Sequence, residues 1–202
     1  MKLVLFRSFL TFLLLGMSMS MGAAIPRAEH PRPDAFRANW MSLNGDRQFE
    51  IDEKADGDGR GLRSGKDLAT NIIVPFCPES SLSGIGNTAI MKHTWYRRLF
   101  AVPATGNSAS SQAPGKSPPR ILLHFGAVDY QAWVWVNGQP AGSQVGGSAS
   151  FNFDITKVLR PGVNELVVHV FDDTASANQP AGKQTFTVSQ GCVSMANASS
   201  NG

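Results

Sequence analysis

The chain has 202 residues, of which 42% are hydrophobic and 16% charged, with 20 Gly and 12 Pro. This is the composition of one globular, turn-rich domain and excludes a disordered or helical-repeat protein. Lys+Arg number 18 against 15 Asp+Glu, but Lys2 and Arg7 fall in a removable leader. What remains is nearly neutral and has no basic track for nucleic acid.

In chain order, Lys2 and Arg7 precede an apolar stretch from Phe9 to Met17, interrupted by Thr11 and Gly16, and Gly22 and Ala24 sit at −3 and −1 of a cleavage point. Residues 1–24 read as a secretory signal peptide, which predicts a secreted, extracellular product. The apolar block falls short of the ~20 residues a spanning helix needs, and no later stretch is apolar enough, so no membrane partner is expected.

From Trp40 onward, short runs rich in β-branched and aromatic residues alternate with Gly, Pro, Asn and Asp. Strands are predicted at 48–51, 71–74, 94–102, 120–125, 132–136, 150–153 and 165–171. The spacing is that of an all-β sandwich. The run Ala132-Trp133-Val134-Trp135-Val136 suits a strand covered on both faces. Asn137-Gly138 follows it directly, and Asn-Gly is the strongest short hairpin signal because a type I′ turn needs positive φ at both central positions. The segment 155–159 is the one helical turn expected, closed by Arg160-Pro161-Gly162. Residues 52–66 and 104–119 read as solvated connections, and 190–202 as a disordered tail.

Several constellations could carry chemistry. Glycoside hydrolysis needs two carboxylates ~5–9 Å apart, and Asn164-Glu165 has the look of an acid/base pair. It follows Pro161-Gly162-Val163 and opens a strand, so a turn Asn and a strand-edge Glu explain it better. Asp172-Asp173 ends the same strand and reads as solvated, with a cation or sugar hydroxyls as the functional alternative. His30, His93, His124 and His169 fit no metal-ligand spacing, and no metal or cofactor is expected. No nucleophile elbow, P-loop or dinucleotide fingerprint is present. Trp133 and Trp135 share one strand face and read as core before sugar platform. Cys77, between Phe76 and Pro78, reads as a buried small hydrophobe, and its pairing with Cys192 stays open. Asn197-Ala198-Ser199 is a glycosylation acceptor.

The ordered residues resemble the N-terminal sugar-binding domain of glycoside hydrolase family 2, the family of β-galactosidases, β-glucuronidases and β-mannosidases. The likeness runs through Trp40, Leu43-Asn44-Gly45, Phe49, Val74-Pro75, Pro78-Glu79-Ser80 and Leu82-Ser83-Gly84-Ile85-Gly86. It continues in Trp95-Tyr96-Arg97-Arg98, the stretch from His124 to Tyr130, Val134-Trp135-Val136-Asn137-Gly138 and Gly146-Gly147. Phe153-Asp154-Ile155-Thr156, Gly162, Asn164, Leu166, Val168, Pro180 and Gly182-Lys183-Gln184 complete it. The resemblance implies a jelly-roll-like, galactose-binding-domain-like β-sandwich over 34–189. It also implies that both catalytic glutamates belong to a barrel domain that this sequence does not contain, so no catalytic residue is assigned here.

The sequence departs from the family pattern after Gln184, and Ser148 stands where an aromatic is usual. A truncated product lacking the immunoglobulin-like and barrel domains is therefore expected. Its partner would be a carbohydrate ligand, with the barrel present only in full-length homologues; a stand-alone lectin-like module is the alternative. The substrate-facing rim is assigned to Glu79, Ser80 and Ser83 in the loop 78–86 and to Asp172 and Asp173. A salt bridge from Glu79 to Arg97 or Arg98 is the competing reading for that glutamate.

Overall fold

A computed structural model describes residues 24–102, 120–174 and 176, together with the backbone of 184–189 and 192–197. The leader, the 104–119 connection, Gly182-Lys183 and the Ala198-Ser199 part of the acceptor motif lie outside the described residues. The chain is an all-β sandwich, as its strand pattern and the family resemblance both predict.

The larger sheet has six antiparallel strands in the order β2-β1-β3-β8-β5-β6. These are β1 (Gly45–Ile51), β2 (Thr70–Val74), β3 (His93–Ala101), β8 (Val163–Phe171), β5 (Gln131–Val136) and β6 (Gln139–Val145). A second, two-stranded layer pairs β4 (Leu122–Phe125) with β7 (Phe151–Asp154). The central ladder joins β3 and β8 over nine residues, from His93 opposite Phe171 to Ala101 opposite Val163.

Alternation along these strands sorts side chains between two faces. The inner face carries Phe100, Ala132, Val134, Val136, Leu166, Val168 and Val170, and β4 and β7 close over it with Leu123, Phe151 and Phe153. The outer face carries Trp95, Trp135 and Val167, covered by Leu62 and Leu68 from the connection between β1 and β2. Both faces of β5 are thus occupied, as Ala132–Val136 predicts. Trp95 is 1% and Trp135 9% exposed, which places both in the core; burial of such large side chains contributes about 1.5–3 kcal/mol each.

The Asn-Gly signal is also realised. Asn137 and Gly138 have φ of 52° and 75°, and Val136 pairs with Gln139 across the turn. Strand β6 itself was not predicted. Pro140 and Gly142 are poor strand formers, and the sheet tolerates them because β6 is an edge strand with a register shift opposite Val134 and Trp135.

Three expectations are corrected. Residues 192–197, read as disordered, form β10 (Cys192–Asn197), antiparallel to β9 (Gln184–Ser189); the many Ser, Asn and Gln residues hide a pairing that needs only backbone groups. Residues 155–159 make a single turn, Val158 N–H donating to the Ile155 carbonyl at 3.1 Å, while short 3-10 helices form at Pro33–Ala35 and Ser81–Ser83. Cys77 is exposed, on the loop that follows β2 rather than on a strand facing the core.

Gly142 lies directly under Phe153, whose ring occupies the space a Cβ would take. Gly142→Ala is expected to force the two layers apart and to lower unfolding stability by about 1–3 kcal/mol, measured as a shift in the urea midpoint.

Candidate functional site

At one end of the larger sheet three loops converge on the ends of β3, β8 and β5. Asp172 N–H donates to the Lys92 carbonyl at 2.9 Å, Tyr130 N–H to Phe171 at 3.3 Å, and Gly146 N–H to Tyr130 at 2.8 Å. The Lys92 ammonium lies 3.0 Å from Asp173 Oδ1. The Asp129 carboxylate fills the place where Gly147 would carry a Cβ, so the Gly146-Gly147 turn can sit there only without a side chain. Asp172 and Asp173 therefore stand on a rim with Lys92, Asp129 and the glycine turn. Lys92 and Asp129 were missed in the sequence, since only the β3–β8 and β5–β8 registers bring them to that rim.

The other three predicted rim residues lie in the loop that follows β2. Ser80 caps the Ser81–Ser83 turn, its Oγ accepting from Leu82 N–H at 3.2 Å. Ser83 is fully buried; its hydroxyl donates to the Ser80 carbonyl at 2.7 Å and accepts from Ile85 N–H at 3.1 Å. Asn87 N–H closes the loop on the Pro78 carbonyl at 3.0 Å. Both serine hydroxyls are thus committed to shaping this loop.

Glu79 has neither arginine as its ion partner. Arg97 faces outward, where Nε donates to Glu165 at 2.6 Å and Nη1 reaches Gln48 and Asp67, both at 2.9 Å. Arg98 faces inward and donates to the carbonyls of Asn44 and Asp46 at 2.9 and 3.0 Å. The two arginines alternate across β3 as expected, and each is taken by a nearer acceptor. Glu79 instead lies near Tyr96, whose hydroxyl is pushed up to about 12, chiefly by burial and then by the negative charge of Glu79.

The Asn164-Glu165 pair is structural. Asn164 is buried, and its Oδ1 accepts from Asn137 Nδ2 and Arg160 N–H at 2.8 Å while its Nδ2 donates to the carbonyls of Arg160 and Gly162. Glu165 accepts from Arg97 and from Gly65 N–H. Asp154, in the stretch shared with the family, accepts from the Thr156 hydroxyl at 2.5 Å, from Thr156 N–H at 3.0 Å and from Arg120 at 2.7 Å, and these hydrogen bonds hold it down at about 2, that of the Thr156 hydroxyl foremost. A surface cavity of about 350 Å³ lies at the opposite end of β8, walled by Ser64, Leu99, Arg160, Val163 and Glu165. Among the described residues no group of three or more His, Cys, Asp or Glu is placed to hold a metal ion.

The family model described as "Glycosyl hydrolases family 2, sugar binding domain" matches residues 41–179, more than two thirds of the chain. The chain belongs to glycoside hydrolase family 2. A β-glucuronidase of Paenibacillus borealis is 32% identical over 126 residues, covering 59% of this chain and 19% of the relative. A β-galactosidase of an Arthrobacter species is 30% identical over 119 residues, covering 59% and 10%. Among solved structures, the β-glucuronidase of Ruminococcus gnavus in complex with a C6-substituted uronic isofagomine superposes with a TM-score of 0.55 at 26% identity, over 65% of this chain and 21% of that one. The chain thus spans about a tenth to a fifth of the length of these relatives.

The Arg97–Glu165 pair, about 12% and 13% exposed, joins β3, β8 and the connection bearing Gly65. Arg97→Ala leaves the carboxylate without its cation and is expected to cost about 2–4 kcal/mol. Glu165→Gln, which keeps an acceptor for Gly65, should cost less; urea unfolding of the two variants checks the order.

Proposed function

We propose that this chain is the non-catalytic sugar-binding domain of a secreted family 2 glycosidase acting on O-glycosyl bonds, and that it contributes carbohydrate contacts and architecture, not bond cleavage. The observation that carries this reading is the fate of its carboxylates. A glycosidase acid and nucleophile must face each other across a sugar bond with protonation states set for transfer. Glu165 is held by Arg97 and Gly65, and Asp173 lies against Lys92. The match of residues 41–179 to the sugar-binding model points the same way.

The ligand-facing end in this reading is the rim formed by Asp129, the Gly146-Gly147 turn, Asp172 and Asp173. Carboxylates and loop backbone there suit hydroxyl-rich ligands. The relatives named β-glucuronidase and β-galactosidase make β-glucuronides and β-galactosides the first ligands to test. Secretion rests on the leader, with release after Ala24.

Purified chain, titrated with methyl β-glucuronide and methyl β-galactoside by calorimetry, is expected to bind at least one of them saturably, and Asp172→Asn with Asp173→Asn to weaken that binding about tenfold, as loss of charge-assisted hydrogen bonds would. Chromogenic substrates should show no turnover. Turnover abolished by Glu79→Gln or Glu165→Gln would overturn the non-catalytic assignment. Expressed with its leader, the chain should be recovered from the medium with Ile25 as its first residue, read by N-terminal sequencing.

A further inference from the structure

The outer face holds a group that the sugar-binding reading does not use. His93 Nδ1 and His169 Nε2 are 3.1 Å apart, their ring planes within 16°. The ring of His169 is stacked on Trp95 at 4.3 Å and 9° and on Trp133 at 5.1 Å and 17°. The sheet register makes this row, since His169 is opposite Trp95 on one side and Trp133 on the other. Trp95 in turn donates its indole N–H to Asp52 at 3.1 Å. Asp52 begins the segment 52–68 that straps the outer face, with Leu62 and Leu68 buried against Trp95 and Trp135. On the other side, His93 follows Lys92, the partner of Asp173.

We propose that the His93–His169 pair is a proton-operated latch that holds the strap 52–68 and the Lys92–Asp173 strand ends to the outer face, and that acid opens it. Two neutral imidazoles share one hydrogen bond, one nitrogen donating and the other accepting. One proton taken up from water leaves a donor facing an acceptor. A second makes every ring nitrogen a donor, so the bond is lost and two cations face each other.

The charged surroundings are mixed. From the strap, Asp58 and Asp52 favour protonation of His169 and Arg63 opposes it; at the strand ends Lys92 and Asp173 flank His93. Burial is the largest influence, His93 the next, and together they hold His169 down at about 4. An unfolded histidine titrates near 6.5. Folding therefore gains from neutral His169 above pH ~6.5, and that gain is lost as pH falls from ~6.5 through ~4. The latch is independent of whether the rim binds sugar.

Hydrogen–deuterium exchange of the full chain at pH 7 and pH 4.5, corrected for intrinsic rates, tests it. The native chain should exchange about tenfold or more faster at pH 4.5 in residues 52–68 and 92–95. In His169→Gln the difference between the two pH values should fall below about threefold, and in His93→Gln it should shrink but persist, because burial still holds His169 down. An undiminished acid response in both variants would assign the effect to the carboxylates of the strap and overturn the proposal, as would no response in the native chain. Should either variant fail to fold, imidazole proton NMR of the native chain decides. A His169 midpoint below pH 5 that moves together with the Trp95 indole signal supports the latch, and a midpoint near 6.5 overturns it.

Discussion

A buried indole N–H is costly without an acceptor, and at Trp95 the acceptor is Asp52. This one requirement orders much of the outer face. Asp52 is itself buried and would be costly there without donors. It gathers the N–H groups of Asp56 and Gly57 at 3.2 and 2.8 Å and the guanidinium of Arg60 at 3.3 Å. The net result is a carboxyl held below its usual range: burial, the largest single influence, raises it, but the hydrogen bonds of Gly57, Trp95 and Asp56 together outweigh that. Gly57 can approach because a Cβ at that position would collide with the indole of Trp95 and the Asp52 carboxylate. A charged, glycine-rich connection thereby becomes a lid on two tryptophans, with Arg63 over the Trp135 ring at 5.2 Å.

The inner face depends on shape more than on polar satisfaction. Its residues come from β3, β5 and β8, and the second layer reaches it through Leu123 and the cluster of Phe125, Phe151 and Phe153. Where the layers join, polar groups fix the geometry. Asn137 in the type I′ turn donates to the Val158 carbonyl and to Asn164, and the Ile121 N–H finds Thr156 Oγ1 at 2.8 Å. Packing supplies most of the stability and these few hydrogen bonds set the register.

Legibility in the sequence followed the range of the interaction. Strands with β-branched and aromatic runs, and the Asn-Gly turn, are local and were readable at 94–102, 132–136 and 165–171. Strand β6 was not, because Pro140 and Gly142 obey edge-strand rules that require knowing which strand is the edge. Trp133 and Trp135 could be put on one face by alternation, yet that this face is covered depends on Leu62 and Leu68, far away in the chain. For the same reason the rim was half visible. Asp172 and Asp173 could be singled out as a strand-end pair, whereas Lys92 and Asp129 join them only through strand register. Glu79 was offered a partner on the correct strand, and Arg97 instead met Glu165, 68 residues downstream.

The distribution of charge separates scaffold from display. Carboxylates on the sheet and its strap are answered by a fixed donor: Glu165 by Arg97, Glu50 by Arg60 at 2.5 Å, Asp58 by Arg63. Such pairs stabilise one arrangement of strands and have little freedom to change partner. The carboxylates at the Lys92 end project from loops, beside a glycine turn whose conformation demands the absence of a side chain. A ligand can exchange with water at such an end without disturbing the sheet beneath. Under the proposed sugar-binding role, recognition falls to the loops and stability to the faces.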